Sequence, residues 1–528
     1  MRLGLFLSEA GGALGKVVDV PWLASQYREL AAVEVLPETL SRAALNRVAA
    51  LVTSAQLDGV VLAGESPRYY QSVPNAAELL ETLGRSGING NRIGYANLLQ
   101  HVAGPHRNSA QQATQKAKLL IDVALARLRW APAVAHVDVA PRRAVAIFGT
   151  TFAGMMAAAQ LLRRGYRVTI LDHTPEWRAL DTPGAVTEEL LPTLSYVRDH
   201  TLARFYVGTL HGSYGRAGDF ALQLDGGEVL RVGGLLLAVD HDPGYCAALY
   251  PHLRVDRDKQ GNFTTRPWSV LSLRSDAPGV VVIPPQRRMA LSEMALHVDS
   301  AVLALEGLLE QREVRHDLLV AAVHDDLCGG CGTCVKTCVF HAARIDATRR
   351  ISVTEIERCV GCGNCVTACP TGARDQASAP TMYLFESVDI LASFRPAHQA
   401  KVLYLLCEGC GYPALDGAAS SGAQYPTGIL PLAVSCGARI DTQLILQALH
   451  AGFDGVAIGI CEEGHCRNIV GNVDLGRRVD LFRTVLRSRG IDPERLRVLR
   501  LTQSDSAASA AQAVQFASDL AEMQGIGL

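Results

Sequence analysis

Eight cysteines between residues 328 and 369 restrict this chain more than any other feature. Cys328, Cys331, Cys334 and Cys338 form one run; Cys359, Cys362, Cys365 and Cys369 form a second, closed by Pro370. Each run reads C-x2-C-x2-C-x3-C. Three thiolates so closely spaced fit around one face of an iron–sulfur cubane. The fourth lies too far along the turn to reach that cubane and ligates the other one. The spacing therefore predicts two 4Fe–4S clusters. One is held by Cys328, Cys331, Cys334 and Cys369, the other by Cys359, Cys362, Cys365 and Cys338. Val339 stands where the first run would carry Pro, a change that touches no ligand. Structural zinc uses two C-x2-C pairs separated by a longer loop, and disulfide scaffolds are small and secreted. Neither pattern is present.

Residues 319–378 thus read as a bacterial-type two-cluster ferredoxin domain. The whole chain has 528 residues, enough for three or four domains. Its hydrophobic share of 48% supports a sizeable core, and a net charge of −2 without any basic run argues against a nucleic-acid binder. Of the 14 cysteines, only Cys246 precedes residue 328. Such clustering is ligand usage and points to a reducing compartment. The opening MRLGLFLSEAGG is too soon interrupted by Ser8 and Glu9 for a signal peptide, and no apolar run approaches the ~20 residues of a membrane span. The expectation is a cytoplasmic protein that meets a membrane only through partners.

Residues 1–135 alternate short apolar strands (LGLFL, GVVLAG) with amphipathic helices at 41–56, 76–86 and 109–130, an α/β pattern. GGALGK near residue 15 fails as a P-loop at Ala10 and Val17 and reads as a turn. A Pro-containing stretch around 132–141 reads as a linker. Residues 140–318 then open with RAVAIFGTTFAGMMAAAQLLRRGYRVTILD, the strand–turn–helix–strand of a Rossmann-like dinucleotide domain. Gly149, Gly154 and Asp172 stand where that fold meets its ligand, but Thr151 replaces the Gly that lets the backbone approach a pyrophosphate. Residues 205–240 suggest hairpin-like strands (FALQLDGGEVLRV, then GGLLLAVD), 279–285 a buried strand, and 290–311 an apolar-faced helix.

Residues 400–528 return to α/β, with helices expected at 441–451, 477–489 and 506–523. Strand VLYLL runs into Cys407, with Cys410 close behind; Cys436 follows LPLAV; Cys461 ends VAIGI, with Cys466 after it. Ligands of open parallel sheets bind beyond the carboxyl ends of the strands. Cysteines at three such ends predict one metal centre, with four of the five as ligands. Cys246 reads as a core residue. His341 and His465 read as local hydrogen-bonding residues.

Taken together, residues 1–380 resemble the A-type subunit of heterodisulfide reductase, a flavin and iron–sulfur family. GVVLAGESPR and ATQKAKLLIDVALARL, set before the Rossmann turn, carry the likeness. CEGC, CGAR and GICEEGHCRNIVGN resemble the delta subunit of methyl-viologen-reducing hydrogenase, and that resemblance implies a 2Fe–2S cluster on the C-terminal thiols. The chain departs from the first family where an N-terminal cluster would be bound: Ser8, Ala10 and Glu65 stand in cysteine positions. It departs again at three glycines that such flavoproteins keep against the cofactor, now Thr151, Asp240 and Pro284. Gly149, Gly154 and Asp172 are the positions that would hold FAD, and the three changes predict that the protein carries little or none.

The expected function is that of an electron-transfer subunit of a heterodisulfide-reductase-like oxidoreductase, relaying electrons between a 2Fe–2S centre and two 4Fe–4S clusters. Implied partners are a hydrogenase, formate dehydrogenase or NADH module on one side. On the other stands a heterodisulfide reductase B/C-like or other terminal reductase. The alternative is an FAD-dependent subunit that splits an electron pair. No G-x-S-x-G, H-E-x-x-H or P-loop suggests catalysis of another kind.

Overall fold

The computed structural model describes residues 1–523 apart from 40, 73, 175–183, 241, 266–272 and 286–288. It divides into two compact units, Met1–Ala135 with Asp317–Leu528, and His136–His316. Both are α/β, as the patterning predicts.

The first unit holds two four-stranded parallel sheets of identical strand order. One consists of Leu3–Ser8, Ala32–Leu36, Gly59–Gly64 and Ile93–Asn97, arranged second-first-third-fourth. The other consists of Val402–Cys407, Ile429–Val434, Gly455–Cys461 and Leu496–Leu501, arranged the same way. Their central strands are buried along their whole length, which is why they read as unbroken apolar runs rather than alternating ones. Helix Ala110–Trp130 buries Ala113, Ala117, Leu120, Ile121, Ala124 and Leu128 at helical spacing. Helix Thr381–Ala392 packs against it and against Thr442–His450. The result is one apolar core drawn from both ends of the chain, running from Leu5 through Leu120 and Leu391 to Leu405 and Ile458.

Buried polar groups lock the same seam. Asp416 accepts from Ser66 Oγ at 2.5 Å and Asn97 Nδ2 at 2.8 Å, with His101 Nε2 also 2.8 Å away. Lys116 Nζ donates to the Ile429 carbonyl at 2.7 Å and lies 2.9 Å from His106 Nε2. Between the sheets in sequence lies the cysteine-rich segment. It is built on the antiparallel pairs Ala321–Val323 with Arg374–Gln376 and Ala343–Ile345 with Ser352–Thr354.

The second unit carries a five-stranded parallel sheet in the order Val280–Val282, Gly234–Leu237, Ala144–Phe148, Arg167–Asp172, Ala203–Val207. An antiparallel meander, Leu210–Arg216, Asp219–Leu224 and Val229–Val232, accompanies it. The hairpin expectation for 205–240 holds for that meander and fails for GLLL. Gly234–Leu237 pairs in parallel with Ala144–Phe148 and is buried throughout; four consecutive apolar residues suit a strand covered on both faces, not a half-exposed hairpin. The expected linker at 132–141 includes a short strand, His136–Val139. Among the described residues, no helix is long and apolar enough to cross a membrane.

Candidate metal centres

Each cysteine run bends around a pair of left-handed glycines. Gly330 and Gly332 have φ of +67° and +77°, and Gly361 and Gly363 have +66° and +80°. Residues with a Cβ rarely adopt this conformation, and here it turns successive thiols toward a common centre. Cys328, Cys331, Cys334 and Cys369 line one cavity. Cys338, Cys359, Cys362 and Cys365 line a second. Backbone N–H groups point at the sulfurs: Ser352 N lies 3.3 Å from Cys328 Sγ, and Ala342 N 3.3 Å from Cys338 Sγ. Burial pushes the Cys362 thiol up to about 11 and the Cys365 thiol up to about 12, so a cation in the cavity is what would keep them as thiolates. Cys331, by contrast, is exposed, and hydrogen bonds from the Thr333 side chain and backbone lower its pKa.

Five thiols converge at the ends of the second sheet. The sulfurs of Cys407, Cys410 and Cys461 lie within 4.8 Å of one another. Cys436 and Cys466 complete the group: Cys436 hydrogen-bonds to Cys407 and Cys466, and Cys466 to Cys461. All five are buried, none more than 4% exposed. Cys407 accepts from Cys410, Cys436 and Cys461, which lowers its pKa well below the usual thiol value. The strand order accounts for the convergence. Val402–Cys407 lies between Ile429–Val434 and Gly455–Cys461, so the three cysteine-bearing ends are adjacent where the order reverses.

The helix expected at 477–489 starts six residues earlier, spanning Gly471–Ser488. Gly and Asn are poor helix formers, which hid the first turn in the sequence. That turn closes the thiol site. A β-carbon on Gly471 would stand 2.6 Å from Cys436 Sγ and 3.5 Å from Cys466 Sγ. Asn472 Nδ2 clamps the carbonyls of Cys461 and Glu462 at 3.0 and 2.7 Å. Gly471 also lines the cavity of Cys338, Cys359, Cys362 and Cys365, so one residue without a side chain borders both sites.

Three arginines that carried no expectation surround these cavities. Arg439, 2% exposed, packs its side chain against Gly363 and donates to the Ala379 carbonyl and, at 2.8 Å, to Thr381 Oγ1. Arg478 reaches from the Gly471–Ser488 helix to Asn364 Oδ1, Thr367 Oγ1 and the Ala438 carbonyl. Arg374 borders both cysteine-run cavities. Charged residues read as surface in a sequence, and of the three only Arg439, inside CGAR, lies in a motif that points to a site. His341 is exposed, and Cys246 is fully buried in the core of the second unit, its thiol pushed up to about 11 by burial.

At the Rossmann turn, Thr151 does not project outward. It caps helix Phe152–Arg163: its Oγ1 accepts from Gly154 N at 3.2 Å and donates to the Ala238 carbonyl at 2.7 Å. Asp172, 1% exposed, accepts at one oxygen from Thr150 N at 2.8 Å and Thr150 Oγ1 at 2.7 Å, and at the other from His173 N at 2.8 Å. The Gly154 N–H and the Asp172 carboxylate are thus both bonded within the chain. Asp240 and Pro284 are both partly exposed.

Known proteins share these parts piecewise. Residues 327–373 match the 4Fe-4S dicluster domain, and 402–524 match the methyl-viologen-reducing hydrogenase delta subunit. The A-type subunit of the ferredoxin:CoB-CoM heterodisulfide reductase of Methanosarcina mazei is 35% identical over 225 residues, 42% of this chain and 27% of that protein. The chain therefore spans little more than a quarter of that relative's length. The D-type iron-sulfur subunit of the F420-non-reducing hydrogenase of Archaeoglobus profundus is 34% identical over 107 residues, 20% of this chain and 78% of that protein. The corresponding D-type vhc subunit of Methanococcus voltae is 37% identical over 98 residues, 19% of this chain and 68% of that protein. Among solved structures, a GidA-related protein from Thermus thermophilus aligns with 32% of this chain and 99% of its own, at 16% identity and a TM-score of 0.24, too low to carry weight. Through residues 402–524, with their five converging thiols, this chain belongs to the hydrogenase iron–sulfur delta-subunit family, joined here to a region that resembles the A-type subunit of heterodisulfide reductase.

Proposed function

We propose that the protein is an electron-relay subunit of a heterodisulfide-reductase-like oxidoreductase, with three iron–sulfur sites in one compact unit. Cys328, Cys331, Cys334 and Cys369 would hold one 4Fe–4S cluster, and Cys359, Cys362, Cys365 and Cys338 the other. Four of Cys407, Cys410, Cys436, Cys461 and Cys466 would hold a 2Fe–2S cluster. The donor sets fit: thiols line the cavities, backbone N–H groups point at sulfur, and burial raises the cost of leaving thiolates there without a metal. Bound clusters supply one-electron carriage. The chain's own residues insulate the sites and set their separation.

The observation that carries this reading is Gly471, which touches the five-thiol site and lines the neighbouring cubane cavity. A residue without a side chain at the border of both sites lets them stand close, which suits electron transfer. At the far end, exposed Cys331 offers an exit to a partner. The partners would be a hydrogenase, formate dehydrogenase or NADH module and a heterodisulfide reductase B/C-like or other terminal reductase, met in the cytoplasm. The second unit is read as carrying little or no FAD. Thr151 occupies the Gly154 N–H, and Asp172 is bonded to Thr150 and His173.

Anaerobically purified protein should contain about ten irons per chain, four, four and two, and little or no FAD. Near eight irons would remove the third site; near zero with stoichiometric zinc would remove the reading; one FAD per chain would move it to an electron-splitting enzyme. Because the fourth ligand crosses over, Cys338→Ser should damage the cluster of the second run and Cys369→Ser that of the first, distinguished by EPR of the reduced protein.

A further inference from the structure

Among the described residues, Arg374 is the only arginine lining the cavity of Cys328, Cys331, Cys334 and Cys369, and it also lines that of Cys338, Cys359, Cys362 and Cys365. It is 2% exposed. Its hydrogen bonds run to Thr354 Oγ1 at 2.7 Å, the Val353 carbonyl at 3.1 Å and Ser352 Oγ, all neutral acceptors. Its Nε is buried without any partner among the described residues. No carboxylate among them forms an ion pair with it, whereas Arg439, at the other border of the second cavity, has Asp375 3.6 Å away.

A buried guanidinium bonded only to neutral groups is costly, and arginine cannot escape by losing its proton. The cost is offset if a negative group belongs beside it. Arg374 borders two cavities whose thiols can supply that charge. Ser352 ties the arrangement together: its N–H points at Cys328 Sγ, its hydroxyl meets Cys334 Sγ at 3.1 Å, and the same hydroxyl accepts from Arg374. We propose that Arg374 is a positioning residue that sets the reduction potential of both 4Fe–4S sites, its fixed charge favouring the more negative, reduced form of each. This rests on reading the two cavities as cubane sites. Each site gains one electron from an external reductant; no bond or proton need move. Because one cation serves both, it raises the two potentials together, while the five-thiol site, which has Arg467 and Arg478 beside it, is left alone.

The test is an EPR-monitored titration with dithionite and redox mediators on the full-length, iron-loaded protein. Arg374→Gln should weaken reduction of both 4Fe–4S sites about tenfold each, about 59 mV for a one-electron couple, with the third centre unmoved. Arg374→Lys, which keeps the charge, should recover most of that shift. Unmoved midpoints, a shift confined to one site, or equal shifts in both variants would each overturn the proposal. If Arg374→Gln fails to load iron, wild-type protein labelled with 15N-arginine decides by pulsed EPR. A 15N coupling on the first-run cluster, lost in Arg374→Lys, is expected; its absence overturns the inference. A wild-type protein that loads no iron would instead sink the cubane reading itself, so the two failures are distinguishable.

Discussion

The two four-stranded sheets of the first unit share direction and strand order, yet their strand ends carry opposite chemistry. In the first sheet Glu65 accepts from Ser8 Oγ at 2.7 Å, Tyr70 Oη at 2.9 Å and Thr39 Oγ1 at 3.0 Å, every partner buried. One carboxyl group takes three hydroxyl donors and the set satisfies itself. In the second sheet the same crevice holds five thiols whose best partners are one another, and thiols are weak donors and weak acceptors. The first crevice satisfies itself; the second gathers thiols that could hold a metal ion. The shared topology places a site, and a handful of side chains at the strand ends decides whether there is one.

Exchange of ligands between the crevices would break this contrast most directly. Cys407→Ser, which removes the thiol bonded to three others, should lower iron by about two per chain and abolish the 2Fe–2S signal, while Ser8→Cys should bind no additional iron. An iron gain in Ser8→Cys would mean that the first crevice is a latent metal site. The self-satisfied set makes the next largest prediction. Glu65→Ala removes an acceptor shared by three buried hydroxyls, with Thr39 Oγ1 at 3.1 Å left to Tyr70, and should cost about 3 kcal/mol in urea unfolding, with Glu65→Gln costing about 1 kcal/mol.

Acid should weaken the seam between the two sheets. Burial first, and then the Lys116 ammonium, holds the His106 imidazole at about 2, against an ordinary 6.5. Between those values the unfolded chain takes up a proton that the native chain refuses, so stability falls as pH falls below 6.5. The loss from pH 6.5 to 5 should be roughly 1.6 kcal/mol. His106→Gln should flatten the urea-midpoint profile over that window; an unchanged slope would assign it elsewhere. Burial also holds the Lys116 ammonium low, which adds a slope of the same sign at higher pH. The smallest effect is expected from Gly471→Ala, whose methyl group would press on Cys436 Sγ. It should cost about 1 kcal/mol and alter the line shape of the 2Fe–2S signal with no change in iron content.

Local spacing made much of this molecule legible. The eight-cysteine runs, the unbroken apolar strands and the cysteines at three strand ends all depend on neighbours a few residues apart, and such patterns are written directly in a sequence. Thr151 shows the limit. Its presence in the turn was visible, but its inward hydroxyl, bonded to Ala238 87 residues away, was not. A side chain expected to project toward a ligand instead turns inward and caps the helix N-terminus.

The sequence also concealed the union of its two ends. Asn97 and Asp416 stand 319 residues apart and bond at 2.8 Å, and the apolar core runs through both sheets as one. Arg374, Arg439 and Arg478 look like surface residues until the fold surrounds them. No periodicity encodes such contacts, because each is set by how finished elements pack. The chain's own letters chose which atoms can bind iron; packing chose how near the sites stand, which cations face them, and which crevice closes on itself.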